Sequence, residues 1–383
     1  LKMKNGTIAA VVLGLLLAGF IVTNIDLDQV KATFEETNLY KSNLEALESE
    51  ITDDFNYFVA SYGKSYQHVD EHQKRLSIYT ENMKLITEHN KNAEFHGFTL
   101  GINKFGDLTN KEYVSKYLQV GNSQNSGSKS QDTKMDITAD AFLKESKTEQ
   151  AIKNLQIPAN VDWAAAGAVG PARDMGDCTG AHWAFAAIAA IEGSNFIHRK
   201  RNETLSVQQV IDCVKGGDFK SEGCNGGHIR EVFEYAKDSD LCTEEDYKFT
   251  GDQGTCTAWW SCSTDNYVKN FRNVTANSRF ELYSAIAQGP VAITVDASSD
   301  KFRFYSGGIF GSECHEDPNH AMTAVGYGTE TWLLFWTNHF VHFRNSWGED
   351  WGEKGFMRVS SNVEEGKGIC GIYQEGYLPV ITH

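Results

Sequence analysis

The sequence predicts an α+β chain: a helix-rich N-terminal unit, then a larger body that is helical first and strand-rich after. Three observations carry this. The stretch from His182 to His198 has no polar face before Glu192, which predicts a helix buried on all sides in a large core. Glu71, Arg75, Tyr79, Asn82, Ile86 and Asn90 fall at about 0, 40, 80, 20, 60 and 100° around a helix, a single stripe. A stripe that mixes polar and apolar residues packs on a partner; a solvated face would not need the Ile and Tyr. The runs Gly289–Val295 and Met322–Gly328 are strand-like.

Composition narrows the class. A chain of 383 residues has room for two domains, or for one of about 220 residues behind an N-terminal segment. A net charge of −16 argues against nucleic acid and anionic membranes as partners and fits an acidic lumen or the extracellular space. All eight cysteines lie between residues 178 and 370, which suggests disulfides and an oxidising compartment. No Cys-x-x-Cys pair exists, so no zinc site is expected.

Taken in order, Lys2 and Lys4 precede an uncharged run from Ile8 to Val22. That run is short of the roughly 20 residues a spanning helix needs, so residues 1–25 read as a signal peptide. An uncleaved signal anchor is the alternative, and would be the chain's one contact with a membrane. Residues 51–118 form the first unit, in which Gly101–Asp107 reads as a turn or short strand. Residues 119–156 read as a linker and processing region, because Gly121–Asp132 is dominated by Ser, Gly, Asn, Gln and Lys with almost nothing to bury. The body spans 157–383 and opens on Ile157-Pro158-Ala159-Asn160-Val161-Asp162-Trp163.

The body is organised around Met175-Gly176-Asp177-Cys178-Thr179-Gly180-Ala181-His182-Trp183-Ala184-Phe185, a Gly-rich turn running into the buried helix. Backbone N–H groups at a helix start stabilise a thiolate, so a thiol peptidase would place its nucleophile there. The stretch resembles the active-site segment of papain-family, cathepsin L-like cysteine peptidases, which reads Gln-Gly-x-Cys-Gly-Ser-Cys-Trp-Ala-Phe. Aligned on Trp183-Ala184-Phe185, the nucleophile position holds His182. Aligned on Gly176 and Cys178, the chain carries one extra residue before Trp183. The oxyanion-hole glutamine position is Met175. The helix stripe, with Tyr79 in place of Phe, and Gly101–Asp107 are similar to the two motifs of the family's inhibitory prosegment, which runs backwards through the cleft.

The resemblance implies a papain-like two-domain fold, helical on the left and β-barrel-like on the right, with the substrate cleft between. It implies His320 as base, Asn345 as its orienting group and Trp347 as a shield over the bond between them. Gly226 and Gly227 would bind substrate backbone. Ile229, Thr294 and Ala321 would line the second substrate pocket, with Glu375 as its floor, where a carboxylate accepts arginine. A solvated surface glutamate is the plainer reading of Glu375. The implied disulfides are Cys178–Cys224, Cys213–Cys256 and Cys314–Cys370, which leaves Cys242 and Cys262 to close a fourth. No thiol then remains as a displaced nucleophile. No cofactor is implied. A metal between His182 and His320 would need a third ligand, for which His228, His315, His339 and His342 are the candidates.

Asn202-Glu203-Thr204 and Asn273-Val274-Thr275 are glycosylation sequons. Phe302–Tyr305 fits the family core, while Trp332–Trp336 has no family counterpart and reads as an exposed aromatic patch. The expectation is a proprotein of the secretory pathway, lysosome, acidic vacuole or extracellular space. It keeps its own prosegment as a partner and binds a peptide or protein in a cleft that does not cut. Rival readings are an active secreted or lysosomal cysteine endopeptidase, and a disulfide-held structural or storage protein.

Overall fold

The computed structural model describes residues 38–118, 157–258, 262, 266–311, 314–332 and 336–381. They divide into two units: residues up to Ala93 together with Leu100–Thr109, and Glu94–Thr99 together with Asn110 onward. The expected signal segment, the linker at 119–156 and the centre of the Trp332–Trp336 run lie outside the described residues.

The first unit is built on helices α1 (Asn38–Ser61) and α2 (Val69–Asn90); α1 begins well before residue 51. Phe55 and Phe58 share a face of α1, three residues apart, and close with Tyr79 of α2 into a buried aromatic core. The predicted stripe of α2 holds the loop that follows. Asn82 Nδ2 donates to the Gly106 and Leu108 carbonyls at 2.9 and 3.0 Å. Asn90 Nδ2 donates to Leu100 O at 2.7 Å, and its Oδ1 accepts from Leu100 N at 2.9 Å. Arg75 pairs with Glu71 and donates to Asp107 O at 3.0 Å. Gly101–Asp107 is a loop closed by turns, not a strand, so its backbone carbonyls find side-chain donors in place of a ladder.

In the second unit a helical turn at Ala93–His96 leads into β1 (Phe98–Leu100), and α3 spans Asn110–Tyr117. These pieces dock on the body. Ile309 N donates to Gly97 O at 2.9 Å, the Phe98 and Phe310 rings lie 4.8 Å apart, and Tyr113 of α3 donates its hydroxyl to Ala297 O at 2.9 Å. The body then runs through β2 (Val161–Asp162), α4 (His182–Arg199), α5 (Val207–Cys213), α6 (Ile229–Asp238), β3 (Asn270–Asn273), α7 (Arg279–Ile286), β4 (Val291–Val295), β5 (Tyr305–Phe310), β6 (His320–Trp332), β7 (Trp336–Arg344), β8 (Phe356–Ser360) and β9 (Gly376–Val380).

Helix α4 is buried at every residue from His182 to Ile191 and again at Gly193–Asn195, as its lack of a polar face requires. Its one acid, Glu192, accepts from Leu205 N at 2.8 Å and lies 3.6 Å from Arg344, so the buried charge is paired. The strands form one open sheet in the order β1-β5-β8-β7-β6-β4-β9-β3, with β2 on β6; among the described residues no pairing closes its ends into a barrel. All five residues of β4 are buried. In register, Val295 stands opposite His320, and Thr323 opposite Arg344, which brings the start of β6 and the end of β7 to the same end of the sheet. Four disulfides join Cys178–Cys224, Cys213–Cys256, Cys242–Cys262 and Cys314–Cys370, which accounts for every cysteine of the chain.

Candidate active site

Two chain segments, far apart in sequence, build the site. One is the turn into α4. Cys178 is tied to Cys224 by its disulfide, and Gly180 N donates to Cys224 O at 3.0 Å. A Cβ on Gly180 would stand 2.5 Å from that carbonyl, so only glycine fits the approach. Trp183 donates its indole N–H to Gly223 O at 3.1 Å and packs so closely on Gly227 that no side chain could stand there. His182 is therefore delivered as the first residue of α4, with the extra residue taken up between two fixed points. Met175 is buried, its N–H donating to Ser346 O at 3.1 Å, and its thioether offers no donor.

The other segment is the end of the sheet where β6 starts and β7 finishes. His320 Nε2 lies 2.8 Å from Asn345 Oδ1, which also accepts from Ser346 N at 2.8 Å. The backbone N–H fixes Oδ1 as a carbonyl oxygen, so Nε2 is the donor and Nδ1 of the neutral ring carries a lone pair. Burial, and then the neighbouring His182, push the His320 imidazole well below the usual histidine range; the Asn345 bond opposes this but is outweighed. The Trp347 indole covers the pair, 4.6 Å from the His320 ring and tilted by 31°. Tyr113 of α3 stands edge-on to Trp347 at 5.9 Å.

The two segments meet at the rings. His182 and His320 lie 4.8 Å apart between centroids at 57°, with 1% and 0% of their surface exposed. Thus His182, His320, Asn345 and Trp347 come together, with Met175 hydrogen-bonded beside Ser346. Gly226 and Gly227 line the turn against Trp183 and Cys224. Thr294 and Ala321 are paired across β4 and β6, and Thr294 Oγ1 donates to Glu375 at 3.1 Å. Ile229 opens α6 and is buried. Glu375 differs from a carboxylate sunk in a partly dry pocket: it is exposed, and Tyr377 holds its other oxygen at 2.7 Å.

Two positioning residues carry no signal of their own in the sequence. Asp296 accepts from Asn319 Nδ2 at 3.2 Å and from Asp317 N at 3.0 Å, and Asn319 Oδ1 accepts from Ala297 N at 2.9 Å. These bonds brace the turn directly before His320. Asn319 could have been found by its adjacency to the histidine; Asp296 could not. Among the described residues no three His, Cys, Asp or Glu side chains are grouped to hold a metal ion. His339 and His342 lie on β7, where His342 stands 4.0 Å from Asp162. Asn202 and Asn273 are both exposed.

Comparison with known proteins adds the family. Residues 157–380 match the papain family cysteine protease model, and residues 55–113 the cathepsin propeptide inhibitor domain. The chain is 34% identical over 330 residues to cysteine protease XCP2 of Arabidopsis thaliana, covering 86% of each chain. It is 35% identical over 315 residues to vignain of Vigna mungo, covering 81% of this chain and 80% of that one. Among solved structures it is similar to a recombinant stem bromelain precursor, with a TM-score of 0.72 and 29% identity over 87% of this chain and all of that one. It is also similar to digestive procathepsin L 3 of Tenebrio molitor larval midgut, with a TM-score of 0.70 and 27% identity over 86% and 99%. The chain belongs to the papain family, as a cathepsin L-like proprotein with its propeptide domain.

Proposed function

We propose that this proprotein does not cleave peptides and acts by holding a peptide or protein in its cleft. The observation that carries the reading is the partner of the His320–Asn345 pair: an imidazole, in a chain whose every cysteine is bridged. Thiol proteolysis needs a thiolate at that point. Losing the side-chain oxyanion donor at Met175 removes a contact worth about 3 kcal/mol in the transition state. The groups that resemble the family's base, orienter, indole cover and glycine wall remain, which supports binding of an extended peptide without cleavage. The competing reading, an active cysteine endopeptidase, draws on the names of the relatives, which are cysteine proteases.

The test uses the full chain and the chain cut within residues 119–156 by an added aspartic protease that is then removed. Neither form should hydrolyse a dipeptidyl fluorogenic amide or be labelled by a thiol-directed epoxide. Stoichiometric labelling, or turnover abolished by alkylation, overturns the reading.

Three finer proposals follow it. Glu375, bonded to Thr294, favours arginine at the second substrate position; a non-cleavable arginine peptide should bind more tightly than its norleucine twin in wild type and equally in Glu375→Ala. The propeptide domain serves as folding template and cover. The disulfides and the exposed sequons at Asn202 and Asn273 suit a secretory, lysosomal or vacuolar route with glycosylation.

A further inference from the structure

We propose that the row His182–His320–Asn345 is an acyl-transfer site for activated esters, meaning aryl esters and thioesters. It rests on the reading of His182 as the group that faces the base, and not on any ligand assigned to the cleft. Nucleophilic catalysis asks for three roles in hydrogen-bonding order: a nucleophile, a base and a group that orients the base. Here Asn345 Oδ1 orients His320 through Nε2 at 2.8 Å. His320 Nδ1 is then a lone pair with no hydrogen-bond partner among the described residues, fully buried and held neutral by burial. The neighbouring ring, its centroid 4.8 Å from that of His320 and tilted by 57°, is a second imidazole, itself a competent acyl acceptor.

Leaving-group chemistry decides which acyl compounds such a pair can open. When imidazole adds to a carbonyl, the adduct expels whichever group leaves more easily. Once its proton has passed to His320 the ring can leave only as an imidazolate, a poorer leaving group than the anion of a thiol, pKa about 8.5, or of a phenol, about 10. Thiol and phenol therefore leave ahead of the ring, whereas the nitrogen of a peptide does not, so a peptide adduct returns to starting material. Met175 deepens the contrast, since a missing oxyanion donor slows every acyl transfer by about 10²–10³-fold and only substrates with ready leaving groups survive it.

The steps balance without any further reagent. A His182 nitrogen forms a bond to the acyl carbon while the carbonyl pair moves onto oxygen, and the ring proton passes to His320 Nδ1. Collapse breaks the C–O or C–S bond, and the departing phenol or thiol takes that proton. Water then adds to the acyl carbon, giving a proton to His320, and the C–N bond breaks as His182 recovers it. The net change is ester plus water to acid plus phenol or thiol.

The experiment measures hydrolysis of p-nitrophenyl acetate and of an acetyl thioester by the full chain, uncut and cut within residues 119–156. His182→Gln and His182→Phe should each lose the rate above buffer, and His320→Gln should lower it by about 10²-fold, the scale of a general base. Rapid acid quench should trap an acetyl group on His182, seen by peptide mass spectrometry. Turnover unchanged in both His182 variants overturns the proposal, as does silence of the uncut and the cut chain. Ester silence with peptides also uncut sinks this inference alone. Alkylation-sensitive peptide cleavage instead sinks the reading of the site as lacking a thiol.

Discussion

The two walls of the site are held in different ways, one by a closed set of side chains and the other by anchors at either end of a turn. On the sheet side, His320, Asn345 and Trp347 stand in one closed arrangement: a 2.8 Å hydrogen bond, a backbone donor that fixes the amide, and an indole 4.6 Å from the ring. Each of the three is also core, since all are almost fully buried. On the helix side, Met175 and His182 differ from the family pattern, and an extra residue enters the turn. Its two ends are nonetheless anchored, by the Cys178–Cys224 disulfide and by Trp183 against Gly223 and Gly227.

The largest expected effect breaks that contrast directly. His182→Cys alone should give little peptidase activity, because the extra residue lengthens the turn that delivers position 182, and an error of about 1 Å costs about 100-fold. Adding Met175→Gln and deleting Ala181 should raise kcat/KM by about 100-fold over the single change, read with a dipeptidyl fluorogenic amide. Equal activities would show that the turn is already in register.

Next comes the anchoring itself. Gly180→Ala puts a Cβ 2.5 Å from Cys224 O and should cost about 1–3 kcal/mol of stability in thermal unfolding. An unaffected Tm would mean that the turn yields freely. A comparable test in the first unit is Asn82→Ala, which removes the side-chain amide that donates to the Gly106 and Leu108 carbonyls. About 1–3 kcal/mol of local stability should go, read as faster proteolysis of residues 100–109. Unchanged cleavage there would detach the α2 stripe from any role in holding the loop.

The smallest effect is a pH dependence. The native state keeps His320 unprotonated, whereas the unfolded chain takes a proton below about pH 6.5. Native stability from this residue is therefore complete above that pH and lost as pH falls towards the depressed native value, at up to about 1.4 kcal/mol per pH unit. His320→Gln removes the dependence, so the Tm advantage of wild type over the variant should shrink on acidification. A constant gap from pH 7.5 to 5 would place the folded pKa of His320 near its ordinary value.

Much of this was legible because it is local. The stripe from Glu71 to Asn90 follows from helix geometry, and α4 from an unbroken apolar run. The departures at Met175 and His182 could be read by alignment on neighbours within ten residues. Helix periodicity said that the stripe needs a partner, but not that Asn82 and Asn90 would hold the carbonyls of the loop after it. Likewise, the sharing of an exposed Glu375 between Thr294 and Tyr377 was not legible, because it depends on strands β4 and β9 lying side by side.

By itself the sequence determined the chain's family, its propeptide motifs, which residues stand where the family's motifs place theirs, and the supply of eight cysteines. Only the tertiary structure decided that the rings of His182 and His320 are almost wholly buried, that Ser346 N fixes the tautomer of His320 through Asn345, and that Asp296 braces the turn before it. The reason is physical: side-chain periodicity and helix signals are set within a few residues of backbone. The protonation and chemistry of an imidazole are set by what lies within a few ångströms of it, and here those neighbours come from α4, β6 and the end of β7.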